Sequence, residues 1–180
     1  MTAHPITHTC NTIGQVQIIY DSHETVESAC FADFMANNGY IVQYQDISSN
    51  SDILIAPQSD KPTFLIGVGR AGNAVQNLIK KHGAYAAGIS IMSHVSWLHR
   101  FGRAHRFTFG RHNAPDTPLL MIGGWGILQH LRTFSCTTAD DDKLSNLNVL
   151  IYPDISFTNM WLIAQDEILN FMNNKRHNAH

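Results

Sequence analysis

Residues 63–81, TFLIGVGRAGNAVQNLIKK, constrain this chain more than any other stretch. They read as a buried strand over 63–66, a glycine turn over 67–72 and an amphipathic helix over 73–81. A strand that turns straight into a helix needs residues that tolerate positive φ, and glycine does so without steric cost. The helix N-terminus then aims free backbone N–H groups at whatever lies over the turn. Two site types share this geometry. One is the dinucleotide fingerprint G-x-G-x-x-G, matched by Gly67, Gly69 and Gly72. The other is the nucleophile elbow G-x-S-x-G, in which Gly69 occupies the serine's place.

The rest of the chain has to choose between them. At 180 residues it is expected to form a single α/β domain, with a core over about 16–173 and polar termini. A hydrophobic fraction of 44% and a charged fraction of 14% suit a globular protein with a bland surface. A formal charge of −2 argues against nucleic acid or an anionic membrane as a partner. Protonating all 11 histidines would move that charge to +9, so mild acid is expected to change solution behaviour. Cys10, Cys30 and Cys136 are odd in number and widely spaced, as reduced thiols are, with no C-x-x-C. The N-terminus MTAHPITHTC lacks the basic and apolar regions of a secretory signal. No apolar run reaches the ~20 residues needed to cross a bilayer. The expected location is therefore the cytoplasm.

In chain order, strands are expected at 16–20, 40–47, 63–66, 86–92, 118–122 and 147–152. A helix over 26–37, with Val26, Ala29, Cys30, Phe34, Met35 and Ala36 as its apolar residues, should end at Asn38-Gly39. A short helix is expected at 127–134. A last helix is expected at 161–172, with Trp161, Ile163, Ala164, Ile168, Leu169 and Phe171 inward, and a frayed tail from Asn173. Strands alternating with helices imply a three-layer sandwich. Its mostly parallel sheet would have about six or seven strands, with helices on both faces. Ligands in such sheets bind beyond the C-terminal strand ends. Those ends place Ser22, His23, Gly69, Arg70, His94, Trp125 and Ser156 as candidate ligand-binding residues.

Between about Val16 and Asn173 the chain resembles a small α/β-hydrolase of the dienelactone hydrolase type. FADFMANNGYIVQYQDI resembles that family's helix, "GY" and strand. FLIGVGRAG resembles its elbow strand and turn, PLLMIGGWG the strand leading to the catalytic acid, and NVLIYPDISF the strand and "YP" before the catalytic histidine. Carried over residue by residue, the resemblance puts the nucleophile at Gly69, the acid near Gly126 and the histidine near Ser156 or Phe157. None supplies what a triad needs, namely a nucleophile, a base in reach and an orienting group. The resemblance therefore implies a hydrolase-like protein that has lost its triad. It would act by binding a small anionic or acyl ligand, or a protein partner such as a second copy.

Two alternatives stay open. One is an active hydrolase of small esters or lactones with a displaced nucleophile. Ser22, Ser93, Ser96, Ser156 and Cys136 are candidates, with His23 or His94 as base. The other is a nucleotide-binding protein using residues 67–72. That reading lacks the acidic residue expected about 20 positions on for the ribose, because the next strand ends Ile91-Met92-Ser93-His94. Its glycine turn also follows two earlier strands rather than opening the fold. No cofactor is expected. No metal is expected either, since the histidines show no ligand spacing such as H-E-x-x-H. Arg70 could pair with a carboxylate or phosphate. Residues 94–112 interleave His94, His99, Arg100, Arg103, His105, Arg106, Arg111 and His112 with Trp97, Phe101, Phe107 and Phe109. They read as an aromatic-inward segment with solvated arginines.

Overall fold

The structure is a computed structural model describing residues 12–20, 29–46, 60–69, 71, 72, 74, 75, 78, 79, 84–91, 117–124, 146–152 and 157–176. Its frame is six strands: β1 (Gly14–Tyr20), β2 (Tyr40–Asp46), β3 (Thr63–Val68), β4 (Ala87–Ile91), β5 (Leu119–Gly123) and β6 (Leu147–Ile151). All pair in parallel, in the order β2-β1-β3-β4-β5-β6. The chain therefore builds outward from β1 to β2, crosses back to lay β3 on the other flank of β1, and then advances to β6. The reversal of direction falls between β1 and β3, and in open α/β sheets ligands bind outside the carboxyl ends of the strands at such a point.

Burial follows this order. Every residue of β3, β4 and β5 is buried, as expected for strands covered on both faces. Side chains alternate between two cores. Val16, Ile18, Phe64, Ile66, Val68, Ala87, Ile89, Ile91, Leu120 and Ile122 point to one. Ile19, Leu65, Leu119 and Met121 point to the other. The first core is covered by three helices: α1 (Ala29–Asn37), α2 (Phe157–Ile163) and α3 (Gln165–Arg176). The second is covered by the helical residues after β3, through Ala71, Val75 and Ile79. Helices thus lie on both faces, as the sequence led one to expect.

The expected strands are all present, with ends moved by a residue or two. Gly67 and Val68 belong to β3 rather than to the turn, and residue 71 is already helical, so the turn is shorter than the glycine spacing suggested. In α1 the buried stripe is Phe31 and Met35, four residues apart, with Phe34 packed beside them. Cys30, expected at the helical spacing of the apolar face, is exposed, as is Ala36, because both lie off that stripe. The helix ends as expected. Gly39 takes φ 85°, its N–H donates to Ala36 O at 3.0 Å, and Asn38 Nδ2 donates to Phe34 O at 2.8 Å.

The expected last helix is two helices meeting at a bend at Ala164, which is fully buried. Hydrogen bonding continues through it, Ala164 N–H to Met160 O and Ile168 N–H to Ala164 O, each 2.9 Å. The inward stripe is Met160, Ala164, Ile168, Phe171 and Met172. Ile163, expected inward, is 44% exposed, because it lies one residue off a stripe spaced by four. The expected fraying from Asn173 is also corrected, since α3 runs to Arg176. Asp166 and Glu167 in its first turn and Lys175 and Arg176 in its last complement the helix dipole. Tyr40 Oη donates to Asn173 Oδ1 at 2.9 Å, tying α3 to β2. The Tyr40 ring also stacks edge-on against Phe64 at 6.0 Å. Among the described residues, no helix is long and apolar enough to cross a membrane. The expected helix at 127–134 lies outside them.

Candidate site after the third strand

The three glycines after β3 do different jobs. Gly67 is inside the strand without positive φ. A Cβ there would stand 2.4 Å from Val75 Cγ2 and 2.5 Å from Ala71 O. Gly67 therefore exists to let the following helix pass close over β3. Gly72 is the same case from the other side: a Cβ would meet Ile91 O at 2.9 Å and Ser90 Oγ at 3.1 Å. Only Gly69 is there for conformation. It takes φ 62°, the left-handed region that L side chains rarely adopt.

The turn is tied down by a short circuit of hydrogen bonds. Gly69 N–H donates to Ile91 O at 2.8 Å, extending the β3–β4 ladder by one residue. Gly72 N–H donates to Gly69 O at 3.1 Å, closing the turn. Ser90 Oγ–H donates to Gly72 O at 2.8 Å. Both ends of the circuit land on adjacent residues of β4. Two of the turn's amides are thereby used within the protein, so neither is available to an anion without breaking a bond.

Of the candidate ligand-binding residues, Gly69 alone falls within the described residues. Ser22, His23, Arg70, His94, Trp125, Gly126 and Ser156 lie outside them, as do Ser93, Ser96, Cys136 and the aromatic and basic segment 94–112. Phe157 begins α2. Sequence reasoning missed Ser90. The available signal was a hydroxyl inside AGISI, a strand that is otherwise apolar, because a fully buried polar side chain must find a partner.

A second polar chain crosses the same face. Tyr85 Oη donates to Gln17 Oε1 at 2.9 Å, and Gln17 Nε2 donates to Gln45 Oε1 at 3.0 Å. Burial pushes the Tyr85 phenol above its usual pKa, so it stays a donor. At the C-terminal end of β6, burial and then the charge and hydrogen bonding of Glu167 raise the Tyr152 phenol. β6 lies three strands from β3, about 14 Å at normal strand spacing, so this pair does not reach the turn at Gly69. Among the described residues, no group of three or more His, Cys, Asp or Glu side chains could hold a metal ion.

No protein-family model matches the chain, and no curated protein matches it. Solved structures do. Esterase Pf2001 of Pyrococcus furiosus aligns over 92% of this chain and 82% of its own, with a TM-score of 0.63 and 9% identity. The acylaminoacyl peptidase of Pyrococcus horikoshii aligns over 91% of this chain with a TM-score of 0.56 and 13% identity. A putative dipeptidyl aminopeptidase IV from Bacteroides ovatus aligns over 89% with a TM-score of 0.58 and 13% identity. The fold is α/β-hydrolase-like. The chain spans only 36% and 31% of the two peptidases' lengths, whereas it spans most of the esterase. In this sheet the glycine turn follows the third strand, beside the first. A dinucleotide fold orders its strands 3-2-1-4-5-6 and carries its glycine turn after the first.

Proposed function

We propose that this chain is a catalytically inactive relative of the dienelactone hydrolase type, which binds a small anionic or acyl ligand beyond the C-terminal end of β3. The observation that carries this reading is Gly69. It is the strand-to-helix residue with φ 62°, where the elbow motif holds its nucleophile, and it has no side chain. A nucleophile held there is strained, and glycine relieves the strain while keeping the turn. The neighbours, an esterase and an acylaminoacyl peptidase, support the acyl class of ligand, since the names of both point to acyl groups. An acyl carbonyl or a carboxylate would take its hydrogen bond from the Arg70 N–H and, where charged, pair with the Arg70 guanidinium. Ser22, His23, His94, Trp125 and Ser156 are proposed to line the same ligand end. In this reading the chain is one domain, works in the cytoplasm, and needs no metal or cofactor.

The test joins chemistry to binding. Wild-type protein is treated with a fluorophosphonate probe and assayed for p-nitrophenyl acetate turnover, and short-chain carboxylates are titrated by calorimetry. The expected result is no labelling, no turnover above buffer and saturable binding. Robust labelling would favour the second reading, an active esterase with a displaced nucleophile, which the hydrolase neighbours also support. Tight binding of a nicotinamide or flavin cofactor, abolished by Gly72→Val, would favour the nucleotide reading instead.

A further inference from the structure

The face of β4 under the turn's helix is nearly bare. Gly88 has no side chain, and a Cβ there would already stand 2.9 Å from Val75 Cγ1. Two residues on, in the same row, is Ser90, fully buried and packed into the same seam. A small apolar residue would suit such a position. The serine instead brings a hydroxyl that must be satisfied where water does not reach, and it is satisfied by Gly72 O at 2.8 Å. The acceptor belongs to the residue whose N–H closes the turn on Gly69, and Gly69 donates to the residue after Ser90.

We infer that Ser90 is a positioning residue for the turn at Gly69: its hydroxyl fixes the height at which the turn stands over the carboxyl ends of β3 and β4. The inference rests on the binding reading above for its functional meaning. The three bonds form a closed ring through Ser90, Ile91, Gly69 and Gly72. The ring has one side-chain group and five backbone groups, the latter from Gly69, Gly72 and Ile91, so Ser90 is where removing a side chain can open it. With the hydroxyl gone, the helix start is tied to β4 only through the Gly69 N–H bond to Ile91 O and by packing, and the turn can tilt about that one remaining bond. The site's donors would shift with it, and hydrogen bonds weaken steeply with misalignment.

The experiment reads amide exchange residue by residue in the full chain, by NMR, for wild type, Ser90→Ala, Gly72→Ala and the double variant. Opening the ring in Ser90→Ala should speed exchange of the Gly69 and Gly72 amides by about tenfold relative to amides of β1 and β5, the upper range of what one hydrogen bond contributes. A merely structural serine would lower protection evenly across the sheet. Gly72→Ala drives a Cβ between Ile91 O and Ser90 Oγ and should loosen the same two amides, with an effect not additive with Ser90→Ala. Uniform loss of protection in Ser90→Ala, or additivity in the double variant, overturns the inference. If Ser90→Ala fails to fold, Gly72→Ala decides, since loss of protection spread evenly over the sheet there overturns it too. Acetate and inorganic phosphate are titrated in parallel, with several-fold weaker binding expected in Ser90→Ala. Failure of the wild type to bind either would count against the binding reading, while the exchange pattern still decides Ser90.

Discussion

Gly67→Ala should be among the most damaging single-methyl additions this chain can suffer. The new Cβ would lie 2.4 Å from Val75 Cγ2, 2.5 Å from Ala71 O and 2.8 Å from Ala71 C. Two of these three are backbone atoms of the helix, so no rotamer change can clear them. The helix must lift off β3, which also opens its contacts with Ile19, Leu65 and Met121 in the second core. Overpacking a close-packed core usually costs about 1–3 kcal/mol, and the backbone clash places Gly67→Ala at or above about 3 kcal/mol. Two internal controls fix the scale. Gly88→Ala meets only Val75 and Ile79 side-chain atoms, at 2.9 to 3.2 Å, and should cost about 1–2 kcal/mol because side-chain ends can yield. Gly124→Ala meets nothing nearer than Tyr152 O at 3.8 Å, so it should be neutral or gain about 0.4–1 kcal/mol from the stiffer unfolded chain. Urea unfolding followed by circular dichroism, with unchanged slope across the series, measures all three. If Gly67→Ala proved as mild as Gly124→Ala, the packing explanation of the glycine pattern would be wrong, and a ligand-related reason for Gly67 would have to be sought.

Gly69→Ser should lose about 1–3 kcal/mol of stability, because a Cβ is forced to φ 62°, and should gain no efficient p-nitrophenyl ester turnover. A hydroxyl without a positioned base stays a weak nucleophile, so brisk turnover would mean that a base and an acid already face it. Ile168→Ala, in the α3 stripe over the first core, should cost about 2–5 kcal/mol by thermal or urea unfolding, and a cost under about 1 kcal/mol would show that α3 is not docked there. Tyr40, Tyr85 and Tyr152 all have raised phenol pKa values, Tyr40 by burial against a smaller opposing effect of Arg176. A raised folded value means that the stability is intact below the unfolded pKa near 10 and is lost as pH rises through the folded one. Melting temperature should therefore hold to about pH 9 and fall above it, less steeply in Tyr85→Phe, and an identical fall in that variant would remove Tyr85 from the account.

What the sequence made legible was local. VQIIY, TFLI and PLLMI are β-branched or apolar runs bounded by breakers, and each became a strand in a parallel sheet. Strand order was not legible, because pairing across the sheet joins residues far apart in the chain. The reversal between β1 and β3, which positions the site, appears only in three dimensions. Helix faces were legible only in part. Leu162, Ile163 and Ala164 are all apolar, and nothing local says that the stripe runs through Ala164 while Leu162 and Ile163 stay exposed. Most candidate site residues belong to the segments after strands, where composition gives residue types and not distances.

The same limit explains why one glycine pattern could be read two ways. G-x-G-x-x-G counts glycines, but glycine answers two unrelated needs, a positive φ and a missing Cβ. Here Gly69 answers the first, while Gly67 and Gly72 answer the second against Val75, Ala71 and Ile91. A dinucleotide cradle uses its glycines to bring free amides up to a diphosphate. In this turn the Gly69 and Gly72 amides are already bonded to Ile91 O and Gly69 O. A diphosphate that drew on these two amides would have to break those bonds and leave buried carbonyls unpaired, at about 1–3 kcal/mol each. A ligand with a single acceptor, such as a carbonyl or one carboxylate oxygen, asks for one donor and leaves the ring through Ser90 intact. The bonds already made by the Gly69 and Gly72 amides are thus consistent with the proposed small acyl or anionic ligand on grounds separate from strand order.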